Sequence, residues 1–137
     1  MPGDNSSRTV AGIYRRSYCR PVTTPLQEPT FLILAALAAE PLHGYGVIQE
    51  VAALSAGRVT LRPGTLYGAL DRLVEQGLVV ADREEVVDGR LRRYYRLSDA
   101  GAGVLEVEAK RLTSNADAAV SRLRRRATGT KPGVSHA

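Results

Sequence analysis

The sequence is poor in the residues that build disulfides, metal sites and large aromatic pockets. Its 137 residues include one cysteine, Cys19, two histidines, His43 and His136, and no tryptophan. A single thiol forms no internal disulfide, which fits a reducing cytoplasm. No CxxC or HxxxH spacing occurs, so we expect no metal site.

Long hydrophobic runs and catalytic motifs are also missing. No run approaches the roughly 20 apolar residues that cross a bilayer, and the arginine-containing N-terminus has no hydrophobic stretch before Pro21, so we expect neither a membrane segment nor a secretory signal. The chain has no GxxxxGK[ST] phosphate loop and no nucleophile elbow. We therefore expect a cytoplasmic protein that is not an enzyme and needs no cofactor.

The positive charge lies mainly at the two ends of the chain. The net charge is +5, yet arginines and acidic residues balance within residues 29–97. A run of arginines near the C-terminus, 122–126, is interpreted as a solubilising helix end, with DNA contact as the alternative. Inside the balanced region, Arg90, Arg92, Arg93 and Arg96 form a local cluster, and such a cluster can bind phosphates even in a neutral domain.

The segment from Leu61 to Val79 has the pattern of a short helix with a sharp start and stop, and we predict a helix over 63–76. Pro63 suits the first turn of a helix, and Gly77 suits the left-handed conformation that ends one. Leucines and a valine recur at helical spacing and are predicted to face inward: Leu66, Leu70, Leu73 and Val74. The opposite face carries small or hydrogen-bonding side chains: Thr65, Gly68, Ala69 and Arg72. Such a face fits a DNA groove, because small residues allow close approach and Thr and Arg reach bases or phosphates.

Two further helices are predicted before this one. The first runs over about 30–39, with Thr30 as its N-cap, and is apolar almost all round. The second runs over about 43–54, and its inward side is predicted to be formed by Tyr45, Ile48, Val51 and Ala52. Residues 1–27 show no clean period and are interpreted as a basic, disordered arm, with a short extra helix as the alternative.

A hairpin is predicted after the third helix. Asp88-Gly89 is a strong turn signal between strands predicted at 78–84 and 92–97. A two-stranded hairpin alone is marginal in water, so its apolar side, predicted as Leu78, Val80, Tyr95 and Leu97, must pack on the helices. Tyr94 and Tyr95 alternate in direction, so one of them is predicted to be buried and the other exposed.

A long helix is predicted from Ser98, a good N-cap, to about Arg126. Its apolar stripe consists of Leu105, Ala109, Leu112, Ala116, Val120 and Leu123. No further chain remains to cover this stripe, so we expect a second copy to cover it and form a homodimer; an exposed, frayed helix is the alternative. The predicted organisation is an arm at 1–27, a winged helix-turn-helix at 28–97, a dimerisation helix at 98–127 and a disordered tail at 128–137.

The order of these elements and several motifs together resemble the PadR family of bacterial transcriptional regulators. The matching pieces lie within about residues 28–112: Leu42-His43-Gly44-Tyr45-Gly46, Pro63-Gly64-Thr65-Leu66-Tyr67, residues 73–79, and residues 89–101. The resemblance implies a mainly α fold with a small β-hairpin, a winged helix-turn-helix, and the single dimerisation helix of the shorter branch of the family. The absence of tryptophan argues against the flat aromatic-drug pocket of some relatives.

The predicted DNA contacts lie on the third helix and on the hairpin, or wing. By resemblance, Tyr67 contacts the phosphate backbone; the alternative is that it only packs. Arg72 either binds a phosphate or pairs with Glu75. The full set of predicted DNA-binding residues is Arg62, Gly64, Thr65, Tyr67, Gly68, Arg72, Gly89, Arg90, Arg92 and Arg93. His43 is interpreted as a helix-start residue with a local hydrogen bond, and Cys19 as an inert thiol.

The resulting hypothesis is a homodimeric, ligand-responsive repressor that binds double-stranded DNA at a pseudo-palindromic operator. A small hydrophobic effector of unknown identity would bind between the C-terminal helix and the winged domain or at the dimer axis. The alternatives are a protein–protein adaptor that uses a winged helix without DNA, and an activator or a regulator without a ligand.

Overall fold

The computed structural model describes residues 25–129, which form four helices and a three-stranded antiparallel sheet. In chain order the elements are α1 (Glu28–Leu37), β1 (Leu42–His43), α2 (Gly44–Leu54), α3 (Pro63–Glu75), β2 (Val79–Val87), β3 (Arg90–Leu97) and α4 (Asp99–Ala127). This confirms the predicted class, mainly α with a β-hairpin and a long C-terminal helix. Most of the predicted arm, the end of the tail, Cys19 and His136 lie outside the described residues.

Helix α1 is the most deeply buried helix, as its composition predicted. It starts at Glu28 after the N-cap Gln27, with Pro29 in its first turn, and it ends at Leu37. The predicted start at Thr30 was therefore wrong, because proline is tolerated inside the first turn and does not have to precede it. Its largest fully buried side chains, Ile33, Leu34 and Leu37, each contribute about 1.5–3 kcal/mol to stability by leaving water.

Helix α2 runs close to its predicted span but presents a different face to the core. Val47 and Val51 are fully buried, and Ile48 packs against the core. Tyr45 is 63% exposed, so its predicted inward orientation was wrong. Val47 and Val51 stand one turn apart, in line with the buried Gly44 at the start of the helix, and this line of residues sets the inward direction.

Helix α3 confirms both of its predicted boundary signals. Pro63 occupies its first turn, and Gly77 has φ +80°, the left-handed value that ends a helix. Leu66, Leu70 and Leu73 are buried as predicted. Two assignments were wrong: Ala69 is buried and Val74 is exposed, because a small residue fits an inner face as well as an outer one.

The sheet has the order β1-β3-β2, with all pairs antiparallel. The two-residue turn Asp88-Gly89 has φ +53° and +76°, as a tight hairpin turn requires. Both hairpin strands extend further toward this turn than predicted, to Val87 and from Arg90. Strand β1, which the sequence did not predict, pairs Leu42 with Tyr95 and His43 with Tyr94.

A bulge in β2 decides which wing residues face the core. Between Ala81 and Glu84 the register shifts, so that Val79 and not Val80 lies opposite Leu97. Val79 is consequently buried together with Tyr95, and the predicted inward orientation of Val80 was wrong. Tyr95 is the buried member of the tyrosine pair, and Tyr94 points to the other face.

The start of α4 is fixed to the end of α3 by hydrogen bonds. The Ser98 hydroxyl accepts a bond from the Gly101 amide at 3.0 Å, which confirms Ser98 as the N-cap, and donates one to the Gly77 carbonyl at 2.6 Å. The Ser98 amide donates to the Leu78 carbonyl at 3.1 Å. Gly101 is buried directly against that same carbonyl, where a side chain would not fit.

The described chain divides into two compact units, one ending at Leu105 and one beginning at Glu106. Leu105 is half-buried and packs against the core of the first unit, so part of its side chain is already covered within the chain, and its place in the dimer stripe stays a prediction. Among residues 25–129, no helix combines the length and the apolar character that a bilayer crossing demands. The same residues contain no group of His, Cys, Asp and Glu side chains suited to a metal ion.

Candidate nucleic-acid interface

The outward face of α3 is exposed near its start, and the residues that form it there are small. Gly64 and Thr65 are exposed, and a side-chain carbon built on Gly64 would meet nothing within 4 Å. One built on Gly68 would approach only the Arg72 guanidinium, at 3.8 Å. Another surface can therefore come close to the backbone here, as a helix in a major groove requires.

One exposed arginine lies at each end of this face. Arg62 precedes the helix as its N-cap residue, and Arg72 lies in its last turn. Both are exposed, and within residues 25–129 neither forms an ion pair or a side-chain hydrogen bond. The predicted alternative for Arg72, a pair with Glu75, is not formed. Both guanidinium groups are thus available for phosphate oxygens.

The wing arginines differ from one another in their partners. Arg93 pairs with Glu84 at 3.1 Å, and Arg96 pairs with Asp82 at 3.3 Å. Hydrogen bonding to Tyr95 and to Glu84 raises the pKa of the Arg93 guanidinium, which stays charged. Arg90 and Arg92 have no ion pair within the described part of the chain and lie on the opposite face of β3 from Arg93. Arg90 and Arg92 are therefore the wing cations most available to an external anion.

A polar cluster surrounds Tyr94 on that face of the sheet. The Tyr94 hydroxyl donates to Glu85 at 2.7 Å, the Arg83 guanidinium lies 4.0 Å from the ring centre, and the His43 ring meets it edge-on at 5.4 Å. Burial and the nearby Arg92 charge lower the pKa of His43, against a smaller opposing effect of Glu85. His43 precedes α2 as predicted, but its side chain makes no capping hydrogen bond.

A cleft of about 400 Å³ lies between the start of α2, helix α3 and the wing. It brings together four residues that the sequence predicted as DNA contacts, and four that it did not. The predicted residues are Tyr67, Arg90, Arg92 and Arg93; the others are His43, Gly44, Tyr45 and Leu91. Because cationic groups, tyrosine rings and one aliphatic side chain line it, the cleft suits a sugar–phosphate segment. Gly89 lies nearby at the exposed wing tip.

The second unit presents a stripe of apolar side chains that are mostly exposed among the described residues, 25–129. Leu112, Val120 and Leu123 are exposed at 40%, 45% and 59%, and Ala116 is exposed between them, while Ala109 is half-buried. These residues recur at steps of three and four, so they share one face of α4. Arg124, Arg125 and Arg126 lie in the last turn, where cations interact favourably with the helix dipole.

The winged-helix geometry is matched by comparisons with known proteins. The family model described as Transcriptional regulator PadR-like family matches residues 33–107, more than half of the chain. The chain belongs to the PadR family. The expectation that it is not an enzyme is confirmed with this assignment, because the family consists of transcriptional regulators.

Individual relatives and solved structures agree with the assignment. Transcriptional regulator Rv3488 of Mycobacterium tuberculosis is 41% identical over 80 residues, which cover 58% of this chain and 71% of that protein. A PadR family transcription regulator from Clostridium difficile R20291 has a TM-score of 0.60 at 22% identity, covering 71% of this chain and 99% of the other. Bacillus subtilis PadR, solved in complex with operator DNA, has a TM-score of 0.53 at 20% identity, covering 60% of this chain and 46% of that one. At these identities the two structures establish the shared fold.

Proposed function

We propose that this PadR-family regulator binds a specific double-stranded operator through α3 and the wing, using all ten predicted contact residues. The observation that carries the proposal is a group of arginines that have no ion-pair partner within residues 25–129, along an open helix face and an adjoining cleft: Arg62, Arg72, Arg90 and Arg92. Helix α3 supplies the sequence choice, and the arginines supply most of the affinity through phosphates.

Arg93 has a smaller role in this proposal than Arg90 and Arg92. Its exposed ion pair with Glu84 contributes only about 0–1 kcal/mol, so a DNA phosphate can replace the Glu84 carboxylate. The energy of the broken ion pair is then subtracted from the gain in DNA binding. Arg93 therefore contributes less to DNA affinity than Arg90 and Arg92, although the sequence predicted all three equally as DNA contacts.

The experiment is a salt-dependent anisotropy titration with the DNA upstream of the protein's own gene. The slope of log K against log salt is negative, and replacing Arg90 and Arg92 with alanine is expected to reduce its magnitude by about 0.9 for each phosphate that the protein no longer neutralises. The control is Arg96→Ala, which removes one positive charge from the same face of the strand but takes it from a pair with Asp82. Equal slopes for the double variant and the wild type would exclude the wing contacts, and absence of any DNA binding would favour the protein–protein adaptor.

The proposal includes a homodimer assembled through the uncovered stripe of α4, formed by Ala109, Leu112, Ala116, Val120 and Leu123. Its support is the exposure of three large aliphatic side chains on one helix face. Two recognition helices about 34 Å apart would then enter successive major grooves of an inverted repeat. An inverted repeat with that spacing next to the gene is the expected operator.

Repression and a response to a small hydrophobic effector complete the proposal. Their support is the family resemblance together with the apolar stripe, which offers an effector a place at the dimer axis. An effector acts only if its affinity differs between the DNA-binding state and another state. A reporter gene behind the operator should be expressed more strongly when the regulator gene is deleted; lower expression would identify an activator.

A further inference from the structure

Gly44, the first residue of α2, is buried beneath the ring of Tyr67 from α3. A side-chain carbon built on Gly44 would overlap the Tyr67 hydroxyl oxygen and would lie 2.6 Å from Cζ and 3.1 Å from Cε1. Real carbon atoms do not approach each other so closely, so any larger residue at this position must push the tyrosine ring away.

The backbone conformation does not account for this glycine. Gly44 is not among the glycines with positive φ, which in the described chain are Gly57, Gly77, Gly89 and Gly129. Gly46, two residues further along the same helix, has nothing nearer than 3.5 Å to a built side-chain carbon. The requirement at Gly44 is therefore the space that the Tyr67 ring occupies.

Tyr67 itself is not needed to complete the core. Its side chain is 44% exposed and lines the cleft beside Arg90 and Arg92. Within residues 25–129 its hydroxyl forms no hydrogen bond. A tyrosine that lines the cleft and has no hydrogen-bond partner in the described residues can donate its hydroxyl hydrogen to an external acceptor such as a phosphate oxygen.

We propose that Gly44 is a positioning residue for DNA binding: the bare backbone at the start of α2 fixes where the Tyr67 ring and hydroxyl stand in the cleft. This inference rests on the proposed function, since it assigns a role in operator binding. An added methyl group meets the far end of a movable side chain and not backbone, so the fold accommodates it by displacing Tyr67. The cost therefore falls on DNA binding and not on stability.

The first measurement needs no DNA. In NMR spectra of the free protein, the Tyr67 ring resonances, assigned with Tyr67→Phe, are expected to move in Gly44→Ala and to keep their positions in Gly46→Ala. Both variants replace a glycine of the same helix with alanine, so helix propensity changes equally. Unmoved Tyr67 resonances in Gly44→Ala would overturn the positioning role whether or not the protein binds DNA.

The second measurement is a double-mutant cycle by operator anisotropy. Gly44→Ala is expected to weaken binding about as much as Tyr67→Ala, on the order of fivefold for one hydrogen bond, and the double variant no further than Tyr67→Ala alone. Gly46→Ala should bind as wild type. Additive effects of the two substitutions, or full binding by Gly44→Ala, would refute the inference.

The two measurements separate the possible failures. If the wild type binds no DNA while the ring resonances still move, the proposed function fails and the steric coupling stands. If Gly44→Ala does not fold but the double variant with Tyr67→Ala does, the added methyl group costs stability, and the proposed positioning role in DNA binding is refuted.

Discussion

Replacing Gly101 with alanine tests how tightly the start of α4 is held against the end of α3. A side-chain carbon at Gly101 would overlap the Leu78 carbonyl oxygen and lie 2.8 Å from Cδ1 of Leu97. The overlapping atom belongs to the backbone, and it also accepts the hydrogen bond from the Ser98 amide. A simple change of side-chain rotamer therefore cannot relieve the overlap.

The size of the effect follows from one stabilising and two destabilising contributions. Alanine in a helix is favoured over glycine by about 1 kcal/mol. Forcing extra volume into a packed site costs about 1–3 kcal/mol, and disturbing the Ser98–Leu78 hydrogen bond adds about 1 kcal/mol. The free energy of unfolding of Gly101→Ala is therefore expected to fall by roughly 1–3 kcal/mol.

Gly103 provides the matched control, two residues further along the same helix. A side-chain carbon there would meet nothing within 4 Å, so Gly103→Ala is expected to raise the free energy of unfolding by about 1 kcal/mol. Thermal unfolding of both variants, at one fixed protein concentration, should separate their melting temperatures by on the order of 10 °C. A Gly101→Ala protein as stable as Gly103→Ala would refute the packing argument.

Three further predictions concern the dimer, the titration of one histidine and the helix cap. Leu112→Asp is expected to give monomers in sedimentation experiments, whereas Ala118→Asp, on the opposite helix face, should leave the dimer intact; a dimeric Leu112→Asp protein would remove the proposed seam. The lowered pKa of His43 means that folding favours its neutral form, so its contribution to stability is present above the unfolded value of about 6.5 and is lost as the pH falls through the lower folded value. NMR titration should place the His43 midpoint below 6.5, and His43→Gln should lessen the loss of stability on acidification; a midpoint above 6.5 would contradict the assignment. Ser98→Ala removes the helix cap and is expected to lower the free energy of unfolding by about 1 kcal/mol, measured in urea; an unchanged midpoint would show that the cap is dispensable.

The fold features that the sequence predicted well are those in which one residue type has few conformational alternatives. Asp88-Gly89 identified the hairpin because both positions of its tight turn need positive φ. Pro63 and Gly77 bounded α3 for the same kind of reason. Strand β1 was missed because two residues carry no period, and its pairing depends on β3 being already in place.

The bulge in β2 explains why one wing orientation was wrong. Counting outward from the Asp88-Gly89 turn pairs Glu84 with Arg93, as observed. Continuing that count would place Val80 opposite Leu97 and on the core side. The extra residue shifts the register, and Val79 takes that place. A sequence of alternating polar and apolar residues does not reveal where such an extra residue is inserted.

The sequence indicated which types of residue form the candidate site. It did not show which of them form ion pairs or contacts with one another. Proximity to the hairpin tip identified the wing arginines, yet sequence alone did not separate Arg93, which pairs with Glu84, from Arg90 and Arg92. The role of Gly44 was hidden as well, because it depends on a contact with Tyr67 from a different helix. Contacts of this kind arise from tertiary packing and leave no local pattern in the chain.

The hydrogen bonds that join Ser98 to Gly77 and Leu78 also determine how the wing is anchored. They join the residues just before β2 to the residue just after β3, so the base of the hairpin is fixed against the ends of α3 and α4. Adding or removing a residue pair at the Asp88-Gly89 tip would change the reach of the wing while both helix ends stay where they are. The length of the wing can therefore change without moving α3.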